Sequence, residues 1–414
     1  MRFCVTIALL LGSAGTQASD WPRFRGPNGQ GITDSKVPTE WSADKGVAWT
    51  TPLPGQGSSS PIVVGDNIFL TCYTNDGANG KRMIVCLDAK SGKEKWKDSI
   101  DGPKNEDRYG GYLREHGYAS ATPVSDGKNV YTFFGKAGAA AWTVDGEKLW
   151  QQHIGDMSGN RGWGSAASPI LAGNILVVNA SEERLAVVGL DVKTGKEKWA
   201  AKYDLLELCY STPVLAKGGG DVTEAIVSMA GEVWGLNPTN GKLRWYCELD
   251  NGGNVSPSVV IGKDHFFTFG GYPEQQTNAV KRGGRKDITK SHRTWKSRDS
   301  SYVPTPILFE DHLYWVTDRG QSICAKAGDG ELVTRNRLSG LKSGGRPVYA
   351  SPIKAGDYIY VVTRRSGTYV FKADPKMEQV AKNVPLDDTD FNGTPAVSGD
   401  RLYLRSNKAL YCVK

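Results

Sequence analysis

Short apolar runs, and no long helical stripe, set the pattern of this chain. Eight times Ser, Thr or Ala precedes a proline, an apolar pair follows, a Gly or Asp turn interrupts, and a β-rich run resumes. The copies are SSPIVVGDNIFLTCY at Pro61, ATPVSDGKNVYTFF at Pro123, ASPILAGNILVV at Pro169 and STPVLAKGGGDVTEAIVS at Pro213. SPSVVIGKDHFFTF at Pro257, TPILFEDHLYWVT at Pro306, ASPIKAGDYIYVVT at Pro352 and TPAVSGDRLYLRS at Pro395 complete the series. Runs of this length, rich in β-branched and aromatic residues and bounded by turn residues, predict strands.

A second unit closes many of these repeats. LDAKSGKEKW, from Leu87 to Trp96, returns as LDVKTGKEKW ending at Trp199, as LNPTNGKLRW ending at Trp245 and, shortened, as TVDGEKLW ending at Trp150. Polar side chains ahead of Gly suit a tight turn, because they bond nearby backbone while Gly supplies the left-handed conformation. A Trp four residues after each such Gly predicts a fixed packing slot between repeats. Trp96, Trp150, Trp199 and Trp245 fill it, and Trp295 takes it in the fifth repeat. The sixth and seventh repeats lack the Trp: Thr334 stands at the slot in ELVTR, and EQVAK offers Val380.

From Pro123 onward the repeat starts lie roughly 43–49 residues apart, close to the period of about 40–45 for four-stranded propeller blades. The eighth repeat reaches Lys414 after only three strands. Val47-Ala48-Trp49, in DKGVAWTTPL, looks like a fourth strand with no partners ahead of it. The chain is therefore expected to be all-β: an eight-bladed β-propeller of four-stranded antiparallel blades. An N-terminal strand near 47–53, carrying Trp49, closes the ring on the C-terminal blade and protects the edges of the array.

Composition adds compartment and charge. MRFCVTIALLLGSAGTQASD has a charged Arg2, an apolar core and a small-residue cleavage site, so residues 1–18 read as a signal peptide and 19–414 as a single propeller domain. The apolar run is short for a membrane span; an uncleaved anchor is the alternative, and no transmembrane segment is expected in the mature chain. The chain is expected to be exported, to the periplasm or beyond. A net charge of +7 is modest for 414 residues and gives no reason to expect nucleic acid. Cys86, Cys324 and Cys412 share one strand context, where other repeats carry Gly189 and Gly235, and read as small fillers. Cys72 and Cys86 lie on one predicted hairpin and are the pair a disulfide would join. There is no CxxC, no HExxH and no GxSxG.

LDVKTGKEKW and the S/T-P strand starts resemble the quinoprotein-type repeat of PQQ-dependent dehydrogenases and of the outer-membrane assembly propeller. DWPRFRGPNGQG, GYASATPVSDGKNVYTFFG, GGRKDITKSH and FNGTPAVSGDRLYLRSNKALYCV resemble more closely the exported PQQ-repeat-like propellers of planctomycete-type bacteria. That group implies the fold and carries no settled activity. The dehydrogenases imply a quinone held with calcium, oxygen ligands, a carboxylate base and a vicinal disulfide. No Cys-Cys pair is present. The residues three before the prolines, where ligands are expected, are Ser58, Ser120, Ala166, Tyr210, Asn254, Val303, Tyr349 and Asn392, with no carboxylate among them.

Candidate chemistry therefore lies in loops. Arg108, Arg114, His116 and Tyr118 precede the second blade, Arg161 and Trp163 the third, and Arg346 and Tyr349 the seventh. Arginine beside aromatics suits anion recognition with ring stacking. A basic insertion in blade five, KRGGRKDITKSH, carries Arg285, Lys290 and His292. The expected function is a non-catalytic binding or scaffold module for an envelope partner protein or an anionic or glycan ligand, with no catalytic residue, metal or cofactor. The alternatives are a PQQ-dependent oxidoreductase using calcium and an envelope assembly factor.

Overall fold

A computed structural model describes residues 20–74, 80–218, 222–342 and 344–414; the leader read at 1–18 lies outside them. Eight antiparallel sheets form the ring, each with four strands from axis to rim. Blade one runs Ile62–Val64, Asn67–Tyr73, Lys81–Asp88 and Glu94–Asp101. The closure is as expected: Val47–Pro52 pairs antiparallel with Ala409–Val413, and Trp49 faces Cys412. Two sheets gain a parallel fifth strand. Ile32–Thr33 adds to the axial strand of blade seven, and Lys286–Asp287 adds to the rim strand of blade four. The second and third strands of each blade are covered on both faces, so they read as continuous apolar runs.

The tryptophan slot has a defined geometry. Each Trp lies opposite a small residue on the third strand of its own blade: Trp96 on Cys86, Trp150 on Ala141, Trp199 on Gly189, Trp245 on Gly235 and Trp295 on Ala279. Four of the indole N–H groups then donate to the turn of the next blade, reaching the carbonyls of Val144, Val192, Pro238 and Ala327 at 2.9–3.1 Å. In blade six the Thr334 hydroxyl makes the equivalent bond to Pro375, at 2.7 Å. A Cβ on Gly189 would lie 2.2 Å from the Trp199 ring. Gly189→Val is therefore expected to cost about 1–3 kcal/mol by overpacking, read as a lower urea midpoint at unchanged m value.

Three expectations need correction. The blade-seven slot belongs to Ala381, opposite Val370; Val380 is exposed, because the bulge ahead of the slot sets the register. Cys72 faces Met83 and Cys86 faces Phe69, so the two are not cross-strand partners, and the six described cysteines are free thiols. In blade five the axial strand starts at Val260, three residues after Pro257, whereas elsewhere it starts one residue after the proline. Val259 therefore occupies the proline position there.

That shift shows in a ladder around the axis. In six blades the residue before the proline donates its backbone N–H to the hydroxyl of its counterpart in the next blade. The steps run Ser60 to Thr122, Thr122 to Ser168, Ser168 to Thr212, Thr305 to Ser351, Ser351 to Thr394 and Thr394 to Ser60, at 2.9–3.0 Å. In blade five Ser258, not Ser256, donates to Thr305, and the Ser258 hydroxyl is buried without a partner on the side facing Thr212.

Candidate functional site: a blind axial pocket

Residues 21–33, part of the Gly- and Pro-rich segment without strand pattern, cross one end of the axis and form its floor. Trp21 pairs with Val63 of blade one, Pro22 accepts from Ser125 of blade two, Gln30 from Ile261 of blade five and Gly31 from Lys354 of blade seven. Arg25 fixes the centre. Its guanidinium is buried and donates to the carbonyls of Thr305, Pro306 and Gln30 at 2.7–2.8 Å. Burial pushes its pKa down to about 9. Gly31 is needed here, since a Cβ would lie 2.9 Å from the Arg25 guanidinium.

The walls are two rings of residues from the axial strand starts. All eight residues three before the prolines line the pocket, together with the Ser and Thr residues directly before them. Phe24 contributes from the floor. Tyr112, Trp163, Tyr210, Tyr302 and Tyr349 supply aromatic wall, and the cavity volume is about 180 Å³.

A lid covers the mouth. It is the long connection from blade one to blade two, with a short helix at Leu113–His116. Its root is held by Arg82 to Glu106 at 2.7 Å, Lys136 to Asp107 at 2.9 Å and the Tyr118 hydroxyl to the Asp107 carbonyl at 2.7 Å. Its tip reaches across the axis: Asn392 of blade eight donates to the Glu115 carbonyl, and Arg364 of blade seven pairs with both Glu115 and Asp390. Arg365 also meets Asp390. Both arginines lie in a turn beyond their strand and converge on one carboxylate.

The expected site residues separate into groups. His116, Trp163 and Tyr349 line the pocket. His116 Nδ1 sits 2.6 Å from the Ser120 hydroxyl, and its enclosed position pushes its pKa down to about 4, so the ring is neutral at neutral pH. Tyr118 belongs to the lid root, packed on Tyr73 and Tyr109 under Arg82. Arg108, Arg114 and Arg161 are exposed outside the pocket lining. Arg346 backs the wall, 4.3 Å over the Tyr302 ring and paired with Asp318.

Arg285, Lys290 and His292 lie elsewhere, on the blade-five connection between its third and fourth strands, where the chain runs along the rim of blade four. Strand alternation puts that connection at the opposite end from the mouth. Sequence reasoning missed Phe24, Glu115 and Tyr302 as lining residues. It also missed the neighbouring carboxyls Glu182 and Glu183, which support Tyr210 and Ser165 from behind. Phe24 lies in the segment DWPRFRGPNGQG, whose resemblance marked the segment but not the residue; Glu182 and Glu183 had no signal.

Among the described residues no cluster of three His, Cys, Asp or Glu side chains is placed to hold a metal, and no helix is long and apolar enough to cross a membrane. Comparison with known proteins gives a curated relative and several solved structures of like fold. Outer membrane protein assembly factor BamB of Burkholderia pseudomallei (strain K96243) is 23% identical over 397 residues, covering 81% of this chain and 92% of its own. The crystal structure of BamB from Moraxella catarrhalis superposes with a TM-score of 0.62 at 11% identity, over 89% of this chain and 97% of that one. Quinohemoprotein alcohol dehydrogenase from Comamonas testosteroni gives 0.67 at 10% identity, over 97% and 81%, a likeness of fold. The family described as outer membrane protein assembly factor BamB matches residues 80–336, more than half of the sequence and five of its eight repeat starts, and the chain belongs to that family.

Proposed function

We propose that this protein is an exported, non-catalytic binding and scaffold propeller of the cell envelope, engaging its partner at the lidded mouth. The observation that carries this reading is the convergence there of the lid, the blade-three loop with Trp163 and the blade-seven turn with Arg364, over a pocket closed below by the N-terminal segment. Loops on a rigid ring are where such folds place recognition. Its relatives are named as assembly factors, which supports a protein partner in the envelope.

The quinoprotein reading is weaker because the donor set does not suit calcium-bound PQQ. Calcium takes six to eight oxygen ligands. The carboxylate among the described lining residues is Glu115, and it is already paired with Arg364. Arg346, which an acidic quinone would need, is paired with Asp318.

The test has two arms. Chain lacking residues 1–18, given PQQ and calcium with alcohols and sugars, is expected to show neither saturable absorbance change nor dye reduction; saturation with turnover would overturn the non-catalytic reading. A photo-crosslinking residue at Tyr112, exposed on the lid, is expected to yield a discrete adduct in intact cells. The same residue at Lys286, on the far rim, is expected to yield none. Absence of an adduct at Tyr112 would sink the scaffold reading.

A further inference from the structure

We infer that the axial pocket receives one uncharged, polyhydroxylated ring, the end residue of a neutral glycan; this rests on the binding reading above and names its ligand. Charge points away from an anion. Arg364 lies between Glu115 and Asp390, and Arg346 is held by Asp318. His116 is neutral, and Arg108, Arg114 and Arg161 lie outside the lining. A carboxylate or phosphate entering this enclosure would lose water and find no unpaired cation among the lining residues.

The lining equally disfavours a purely apolar ligand. Seven ladder hydroxyls, all but that of Ser258, accept a backbone N–H, which leaves their own hydrogens to donate within the ring. Asn392 spends its amide N–H on the lid, while its Oδ1 is buried with no partner. An apolar occupant would leave that acceptor unsatisfied, whereas a ligand O–H satisfies it. Around these groups stand aromatic faces. Trp163 is stacked on Tyr210 with ring centroids 6.3 Å apart and is held edge-on by Tyr112 at 4.7 Å. Aromatic faces beside hydroxyls and amides match a sugar ring, which has C–H patches on its faces and O–H groups on its edge.

Size and shape supply the rest. A cavity of about 180 Å³ is of the size that takes one six-membered ring, since a cavity of roughly 150 Å³ takes benzene. The floor at Phe24 blocks passage, so a chain must end there and leave past the exposed Tyr112 and Tyr272.

The experiment uses the chain from residue 19 on a glycan array carrying neutral hexose-, N-acetylhexosamine- and uronate-terminated glycans. Calorimetry then follows with the methyl glycoside of the terminal sugar that binds. Binding is expected from neutral termini, and the methyl glycoside alone is expected to saturate the site. Trp163→Ala is expected to weaken it at least tenfold, Trp163→Phe to recover part of the loss, and Asn392→Leu to weaken it about fivefold. Thermal melts of each variant separate lost binding from lost fold. Binding by uronate termini only, binding by no glycan, a need for three or more rings, or full affinity in both Trp163→Ala and Asn392→Leu would overturn the inference. If the Tyr112 adduct forms while no glycan binds, the ligand inference alone fails. If neutral glycans bind and no adduct forms, the protein-scaffold reading alone fails.

Discussion

Trp245→Ala is expected to destabilise the protein by about 3–5 kcal/mol, the largest effect among the slot tryptophans. The other slot residues rest on a turn of the next blade and keep part of their edge in solvent. Trp245 has no such turn to rest on, because blade five carries the basic insertion instead. The insertion folds back along the rim, pairs Lys286 with Trp245 and packs Ile288 into the same cluster, so Trp245 is fully enclosed. Its ring stacks on Phe266 at 5.7 Å, and its N–H donates to the buried Glu224 carboxylate at 2.8 Å. Truncation thus opens a ring-sized cavity and strips a buried carboxylate of a donor. Trp245→Phe keeps the stacking but loses the donor and part of the indole volume, so it is expected to cost about 1–3 kcal/mol. Trp295→Ala, at a partly exposed slot, is expected to cost less than Trp245→Ala. Urea midpoints of the three variants check the order; equal losses at Trp245 and Trp295 would refute it.

The contrast between Trp245 and its copies shows what the text of a repeat carries. Period, turn and Trp placed eight blades correctly, and the surplus strand at Trp49 matched the deficit at Cys412, because blade geometry repeats locally. Slot identity at Val380 failed, since a bulge of one residue decides which neighbour faces the third strand. Pro257 misled in the same way: a proline and a serine marked the strand start, and the backbone took them two residues early.

The pocket was legible to the extent that the repeats built it. Counting three residues back from each proline found a full ring of lining residues. The floor was not legible, because residues 21–33 bind through backbone groups and one buried arginine, and neither leaves a periodic signal. The pairing of the arginines was not legible for a related reason. Arginine beside aromatic residues implied anion binding, but the carboxylates that cancel Arg346 and Arg364 come from distant connections, at Asp318, Asp390 and Glu115. Pairing across blades cannot be read from a local string.

Glu183→Gln is expected to stabilise the protein at alkaline pH and to leave it nearly unchanged in mild acid. Glu183 lies in a short helix at Ser181–Arg184, buried beneath the lid root, where it accepts one hydrogen bond from Ser165 at 2.9 Å. Burial pushes its pKa up to about 8, with Glu182 adding to the rise; burial pushes the adjoining Glu182 to about 7, with Glu207 and Asp107 adding to the rise. Glu106 and Asp107 face the same space across Lys136, which is already committed to Asp107. A carboxyl whose folded pKa lies above its unfolded value holds its proton more tightly when folded. Its contribution is complete below about pH 4.5 and is lost as pH rises through about 8. Wild-type stability is therefore expected to fall by about 4 kcal/mol through Glu183 between pH 5 and pH 8. The glutamine variant keeps the shape and cannot ionise, so the two stability curves are expected to coincide near pH 4.5, to separate steadily from there to about pH 8, and to keep a constant gap above it. Because Glu182 holds Tyr210 of the pocket wall and Glu183 holds Ser165 close to Trp163, ionisation of this pair is also expected to loosen the pocket. Trp163-centred binding is expected to weaken above pH 8 in wild type and to hold in Glu183→Gln. Parallel stability curves across that range would show that the buried pair does not titrate in the folded state.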